Sequence, residues 1–385
     1  MTPAARVQAS IEILDDINEG RSAEQAISAW ARNSRFAGSK DRAAVRDNVY
    51  AVLRRKHTCA TVGGGANGRA LMIGLLRQQG IDPAGIFTGE GYAPMALEPH
   101  EMTEADVNVN PMDDLPDWIR DQWCNSLGDQ ADDVAQAMRD RAEVFLRVNL
   151  LLGTREAAIE ALAEDGIIAE AHPNVKTALT VREGARKVAN SISYQDGLVE
   201  LQDANSQASV CVIPREAVTG VLDYCAGGGG KSLALAGWLN TVVHAHDAFP
   251  RRMKDLPTRS NRAQADIVVL DQEDVGDYSF DIVFCDVPCS GSGSWRRDPE
   301  GKWSLSPEKL NELQEVQRDI LQTASGFVTP DGYLAYATCS VLRSENHDQV
   351  DWFISENPQW TVTEQTQFVP NALGDGFFVT LLKRR

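Results

Sequence analysis

The sequence predicts an α/β protein in three parts. Residues 1–141 are all-helical, 142–197 form a small α+β unit, and 198–385 build a mostly parallel sheet with helices on both faces. Three observations carry this. Apolar residues recur every three or four positions through the first part, as one buried helix face requires. Alternation sets in near residue 143. From residue 198 short apolar runs alternate with helical stretches, the rhythm of a parallel sheet covered on both faces.

Taken in order, Val7, Ile11, Leu14 and Ile17 define a first helix, and Ser22-Ala23-Glu24-Gln25 reads as a capping box opening a second through Ala26, Ile27 and Trp30. Val45, Val49 and Val52 mark a third helix, and residues 70–76, stopped by Gly80, a fourth. Residues 86–116, with Pro94, Pro99, Pro111 and Pro116, read as a long irregular excursion. Two more helices are expected at 116–127, with Gly128 just past its end, and at 129–141. Val144, Leu146, Val148 and Leu150 alternate as a strand, Thr154 caps a short helix ended by Gly166, and runs at 167–168 and 178–181 suggest further strands. In the last part strands are expected at 219–222, 242–245, 267–270, 280–285 and 333–337, helices at 306–326 and 343–356, and a final strand at 377–382, apolar on both faces and so inside the sheet.

Composition narrows the function. Hydrophobic residues make up 43% and charged residues 24%, which excludes disordered and fibrous classes. No run reaches the roughly 18 apolar residues of a membrane span, and the N-terminus lacks the apolar core of a signal peptide. Seven cysteines, odd in number and without framework spacing, point to reduced thiols and a cytoplasmic protein, expected as a monomer. The net charge of −18, from 37 basic and 55 acidic residues, means that any nucleic-acid footprint must be a local patch.

Three motifs could carry chemistry. In the first, a buried strand runs into Cys225-Ala226-Gly227-Gly228-Gly229-Gly230-Lys231-Ser232, and Asp247 follows about 20 residues on, where an acid can bind ribose hydroxyls. This suits a nucleoside cofactor at a helix N-terminus. A phosphate-binding P-loop competes, but the position needing its first glycine holds Cys225. A merely tight turn would not need four glycines, which lose much backbone entropy on ordering. In the second, Asp286 leaves a strand ahead of Pro288-Cys289, which sets a thiol just past the sheet edge. The third is a buried strand ending in Thr338-Cys339-Ser340. Two thiols at the ends of two such strands can converge on one pocket, although a single buried cysteine is commonly a small hydrophobe. A metal site from Cys285, Cys289 and His244 or His246 fits no zinc spacing, so none is expected, and His57, His100 and His172 read as structural. Arg251, Arg252, Lys254, Arg259 and Arg262 form a basic cluster, either a solvated helix face or a phosphate-facing patch.

Together Asp223 to Lys231, Asp286 to Gly293 and Thr338-Cys339-Ser340 with Glu345-Asn346 resemble the motifs of the Nop/Sun family of RNA cytosine-5 methyltransferases. Ser294-Trp295-Arg296-Arg297-Asp298-Pro299-Glu300 with Lys302-Trp303, and the lead-in from Leu201 to Gln207, are similar to its bacterial small-subunit ribosomal RNA branch. Phe36 to Arg42 resembles a NusB-like RNA-binding domain. The resemblance implies a Rossmann-like class I methyltransferase fold over 198–385, an RRM-like unit at 142–197 and a NusB-like domain at 1–141. It implies S-adenosyl-L-methionine as cofactor, held by residues 225–231 with Asp247, Arg252, Asp271 and Asp286. It further implies Cys339 as nucleophile on carbon 6 of cytosine, Cys289 in product release and Asp286 hydrogen-bonded to the base; spacing alone does not rank the two cysteines. RNA is the implied partner, most directly small-subunit (16S) ribosomal RNA, with transfer RNA as an alternative and with Arg296, Arg297 and Lys302 as contacts. The family commonly has Pro where Gly228 stands, so this turn is expected to be more flexible. The rival classes are a P-loop NTPase and a non-catalytic RNA-binding scaffold.

Overall fold

A computed structural model describes residues 1–103, 106–216 and 218–385. Glu104 and Ala105, within the stretch read as irregular, lie outside the described residues. The chain divides into two compact units. One comprises Met1–Cys124, Gly128–Arg141 and Trp295–Ser304; the other comprises Asn125–Leu127, Ala142–Ser294 and Leu305–Arg385.

The first unit is helical. Its main helices are Pro3–Asn18, Ala23–Asn33, Ser39–Arg54, Lys56–Gly63, Gly68–Gln78 and Ala131–Arg139. The expected faces are the buried ones: Val7, Ile11, Leu14, Val45, Val49 and Val52 share one core with Leu71, Leu75 and Phe87. Ser22 caps the second helix, its hydroxyl accepting from Gln25 N at 3.4 Å. Between residues 83 and 119 the described chain has only short 3₁₀ turns, in line with its prolines. The helix Lys56–Gly63 was not foreseen, because its sequence has few apolar side chains to form a stripe.

In the second unit, β1 (Phe145–Val148), β2 (Ile168–Ala171), β3 (Ala178–Glu183) and β4 (Val199–Leu201) form an antiparallel sheet in the order β2-β3-β1-β4. The helix Arg155–Glu164, capped by Thr154, covers it. β4 pairs with β1 beyond the boundary expected at residue 197. Three residues with a glutamate at the centre give no strand period to read.

β5 (Val221–Asp223), β6 (Val243–Ala245), β7 (Ile267–Val269), β8 (Phe280–Asp286), β9 (Val328–Thr338), β10 (Trp360–Phe368) and β11 (Phe377–Arg384) form a second sheet in the order β10-β11-β9-β8-β5-β6-β7. The run β7-β6-β5-β8-β9 is parallel, β11 pairs antiparallel with β9, and β10 pairs antiparallel with β11. Both faces are packed. Val283 and Cys285 of β8 point into one apolar cluster, and Ile282 and Phe284 into the other. The strand at 377–382 lies inside the sheet as expected, because β10, a polar strand not foreseen, covers its outer edge. This is the expected Rossmann-like arrangement, and its carboxyl edge carries Asp223, Asp286 and Thr338.

Residues 295–304 depart from the expected organisation: they pack with the helical unit, not with the sheet around which they were expected. Trp295 stacks on Trp123 with ring centroids 5.9 Å apart, and Trp303 donates its indole N–H to Leu53 O at 2.7 Å. Burying a side chain of this size contributes about 2–3 kcal/mol. Among the described residues no helix is long and apolar enough to cross a membrane.

Candidate active site

The glycine turn is a backbone structure. Tyr224 N donates to Phe284 O at 2.8 Å, Ala226 N to His246 O at 2.9 Å and Gly229 N to Ala226 O at 2.8 Å, which bends the chain from β5 into the helix Gly230–Leu239. Gly229 sits at φ +82°, and a Cβ there would lie 2.2 Å from Leu256 Cδ1, so glycine is required on two counts. Two arginines hold the turn's carbonyls from outside it. Arg147, on β1 and 5% exposed, donates to Gly230 O at 2.7 Å, and Arg259 donates to Gly228 O. Glu200 of β4, also buried, pairs with Arg259 at 3.1 Å and with Arg262. Two members of the basic cluster are therefore ion-paired to the small sheet, and neither reading offered for that cluster describes them.

Three carboxylates surround the turn. Asp247 is 2% exposed; it accepts from Gly227 N at 2.9 Å and Phe249 N at 2.9 Å and pairs with Arg252 at 3.1 Å. Asp223 is fully buried. Ser232 donates to its Oδ2 at 2.6 Å, while its Oδ1 has no hydrogen-bond partner among the described residues. Burial pushes the Asp223 carboxyl up to about 7, against the Ser232 bond. Asp286, 30% exposed, accepts from Lys231 Nζ at 2.9 Å, and that ammonium also donates to Ser206 at 2.8 Å and lies 4.4 Å from the Phe377 ring centroid. Asp271, exposed, follows β7 at the head of a one-turn helix. Cys225 is in the turn itself, its thiol raised by burial.

The two candidate cysteines meet. Asp286 on β8 and Ala337 on β9 are in register, so the loops leaving these strands start side by side. Val287 N donates to Ala337 O at 3.0 Å and Gly293 N to Cys339 O at 2.9 Å, which brings Cys289 Sγ to 3.3 Å from Cys339 Sγ. The hydrogen bond to Cys339, and burial after it, raise the Cys289 thiol well above its ordinary value. Beneath them lies a group not singled out as a site residue, the fully buried Glu345, which accepts from Ser290 and Ser340. Its only signal in the sequence was its place in the third motif.

The expected RNA contacts need correction. Lys302 is 1% exposed, with Nζ donating to Arg54 O at 3.1 Å, and burial lowers it to about 8. Arg296 is 4% exposed, and its carbonyl accepts from Arg54 Nε at 2.6 Å. Both are buried with the inserted segment and cannot meet a phosphate in this arrangement; Arg297 is exposed. Among the described residues no cluster of three or more histidine, cysteine or acidic side chains could hold a metal ion.

Residues 210–383 match the family model for 16S rRNA methyltransferase RsmB/F, and residues 115–188 match the ferredoxin-like domain model of the same family. Ribosomal RNA small subunit methyltransferase B of Cronobacter sakazakii is 30% identical over 285 residues, which cover 70% of this chain and 66% of that protein. The protein of the same description from Yersinia pseudotuberculosis is 29% identical over 296 residues, covering 72% and 68%. The crystal structure of PH0851 superposes with a TM-score of 0.78 at 21% identity, over 100% of this chain and 99% of that one. NSun6 from Pyrococcus horikoshii, solved with SFG, has a TM-score of 0.62 at 18% identity, over 70% and 98%. These two share the fold.

Proposed function

The chain belongs to the 16S rRNA methyltransferase RsmB/F family, and we propose that it transfers the methyl group of S-adenosylmethionine to carbon 5 of a cytosine in RNA, with small-subunit ribosomal RNA as substrate. The observation that carries this reading is the pair of sulfurs 3.3 Å apart at the sheet edge that also bears the Asp286–Lys231 pair and the glycine turn.

The turn fits the cofactor. Gly229 lets the chain turn left-handed against Leu256 into the helix N-terminus, Asp247 supplies a carboxylate where a ribose would lie, and Asp223 keeps an oxygen without a hydrogen-bond partner among the described residues. Residues 225–231, Asp247, Arg252, Asp271 and Asp286 would hold it. Bound there, S-adenosylmethionine supplies an electrophilic methyl group. The same details weigh against a P-loop. Lys231 is committed to Asp286 and Ser206, and Ser232 to Asp223, so neither is free for phosphate or its metal ion.

Carbon 5 of cytosine becomes nucleophilic only after a thiolate adds to carbon 6. We assign that addition to Cys339. Cys289 keeps its proton, and an S–H beside the sulfur of Cys339 can donate to the thiolate both when it forms and when the adduct releases it. After methylation the carbon 5 proton passes to solvent water, and the electron pair of that bond restores the carbon 5–carbon 6 double bond. The carbon 6–sulfur bond breaks with its pair on sulfur, which returns the thiolate to that donor. Asp286 would accept from the amino edge of the base, and Lys231 holds its carboxylate in place. A base must be unstacked to enter, which favours loops and single strands.

Cysteine replacement tests the assignment. Cys339→Ala should abolish methyl transfer, and Cys289→Ala should leave an RNA–protein adduct stable on a denaturing gel. An adduct with Cys339→Ala and none with Cys289→Ala reverses the two roles. Bisulfite mapping of ribosomal and transfer RNA from a deletion strain identifies the substrate, and a lost methyl group on transfer RNA alone would overturn the ribosomal assignment.

A further inference from the structure

We infer that Glu345 is a positioning residue for the two thiols, a buried carboxylate that ties the Cys289 loop to the Cys339 loop; this rests on the two-cysteine reading above. Each cysteine has a serine after it, and both serines end on this one side chain. Glu345 accepts from Ser290 N at 2.8 Å, from Ser290 Oγ at 2.5 Å and from Ser340 Oγ at 2.5 Å. Gln317, fully buried on the helix Pro307–Ala324, donates to it at 3.1 Å and to Pro288 O at 3.0 Å, just before Cys289. The neighbouring Asn346 accepts from Thr338 Oγ1 at 2.6 Å and donates to Ser340 O at 3.0 Å, so both residues flanking Cys339 are held. Tyr336 OH donates to the Glu345 carbonyl at 2.6 Å, which anchors the clamp to β9.

The residue type is dictated by the count of bonds. A carboxylate has two oxygens and about four lone-pair sites, all accepting, and here four donor contacts from two loops and a helix converge on it. Glutamine has the same shape but one accepting oxygen, and its amide would face donors. Without the clamp the loops keep Gly293 N to Cys339 O at 2.9 Å, Ser292 Oγ to Ser340 Oγ at 2.8 Å and a long 3.5 Å contact between the Ser290 and Ser340 hydroxyls. They lose the charge-assisted bonds that fix both serines on one carboxylate beside the 3.3 Å gap between the sulfurs. Misplacement by about 1 Å typically costs on the order of 100-fold in rate.

The test reads the thiols directly. Treated with diamide, the full-length chain should form a Cys289–Cys339 disulfide: two S–H bonds break, one S–S bond forms, and the azo compound takes up both hydrogens as a hydrazine. Mass mapping follows the joined peptides. Glu345→Gln should slow this cross-link and kcat for methyl transfer by about 10-fold or more, while S-adenosylmethionine affinity and the KM for RNA change less than about 2-fold. A wild-type cross-linking rate in Glu345→Gln overturns the proposal. Should that variant fail to fold, the Ser290→Ala/Ser340→Ala double variant, which leaves the carboxylate in place, must show the slowed cross-link, and a wild-type rate there overturns it equally. Slowed cross-linking in a chain that methylates no RNA would uphold the clamp and remove the function proposed above.

Discussion

The glycine turn and the thiol loops leave neighbouring strands at the same edge of one sheet, yet they are held in opposite ways. The turn is pinned through backbone. Its amides reach Phe284 O, His246 O and Asp247, and its carbonyls take Arg147 and Arg259. The thiol loops share two backbone bonds, Val287 N to Ala337 O and Gly293 N to Cys339 O, but the residues beside each sulfur are fixed by side chains, with serine hydroxyls gathered on Glu345 and Asn346 flanking Cys339. A backbone-held site tolerates no added Cβ where the chain turns left-handed. A side-chain-held site tolerates no change in donors and acceptors. The first kind suits a cofactor that lies against main chain, and the second suits reactive atoms whose mutual distance must be set.

Three perturbations break or sharpen this contrast, beyond those above. The largest is Gly229→Ala. The positive φ costs about 1–2 kcal/mol, and the collision with Leu256 about as much again. Calorimetric titration should show S-adenosylmethionine affinity down by about 100-fold, with the Cys289–Cys339 cross-linking rate unchanged. Binding within tenfold of wild type would mean that the turn does not hold the cofactor. Arg259→Ala comes next. It frees the Gly228 carbonyl and leaves Glu200 with Arg262 alone, so affinity should fall by about 3- to 10-fold. If cofactor binding is unaffected, the Glu200–Arg259 link does not brace the turn.

The third effect is one of pH, and it reads stability in place of binding. The Asp223 carboxyl stands at about 7 in the folded chain against 3.8 for a free side chain, so folding favours its protonated form. That contribution is full below about pH 4 and is lost as the pH rises through about 7. The melting temperature should therefore decline over this window relative to Asp223→Asn, which has no proton to lose. Parallel curves for the two proteins would remove Asp223 as the source.

The parallel sheet was legible because its strands are apolar on both faces, and the first helices because Val45, Val49 and Val52 recur on one side. Elements whose local pattern is weak escaped: β4 is three residues long around Glu200, β10 is a polar edge, and Lys56–Gly63 has no apolar stripe. At the site, the turn, Asp247, Asp286 and the two cysteines stood out, because strand ends and glycines mark places where chain and ligand can meet. Glu345 did not, since a buried acid in sequence looks like any surface acid until its donors are known.

By itself the sequence determined which stretches are buried, where strands end, and that a glycine turn and two thiols lie at one sheet edge. These follow from periodicity and backbone freedom, which are local properties. Tertiary structure alone decided that the sulfurs lie 3.3 Å apart, that Glu345 joins their loops, and that Arg296 and Lys302 are buried in the helical unit. A buried polar or charged group must find its partner wherever the folded chain supplies one, and that partner can be 248 residues away, as Arg54 is from Lys302.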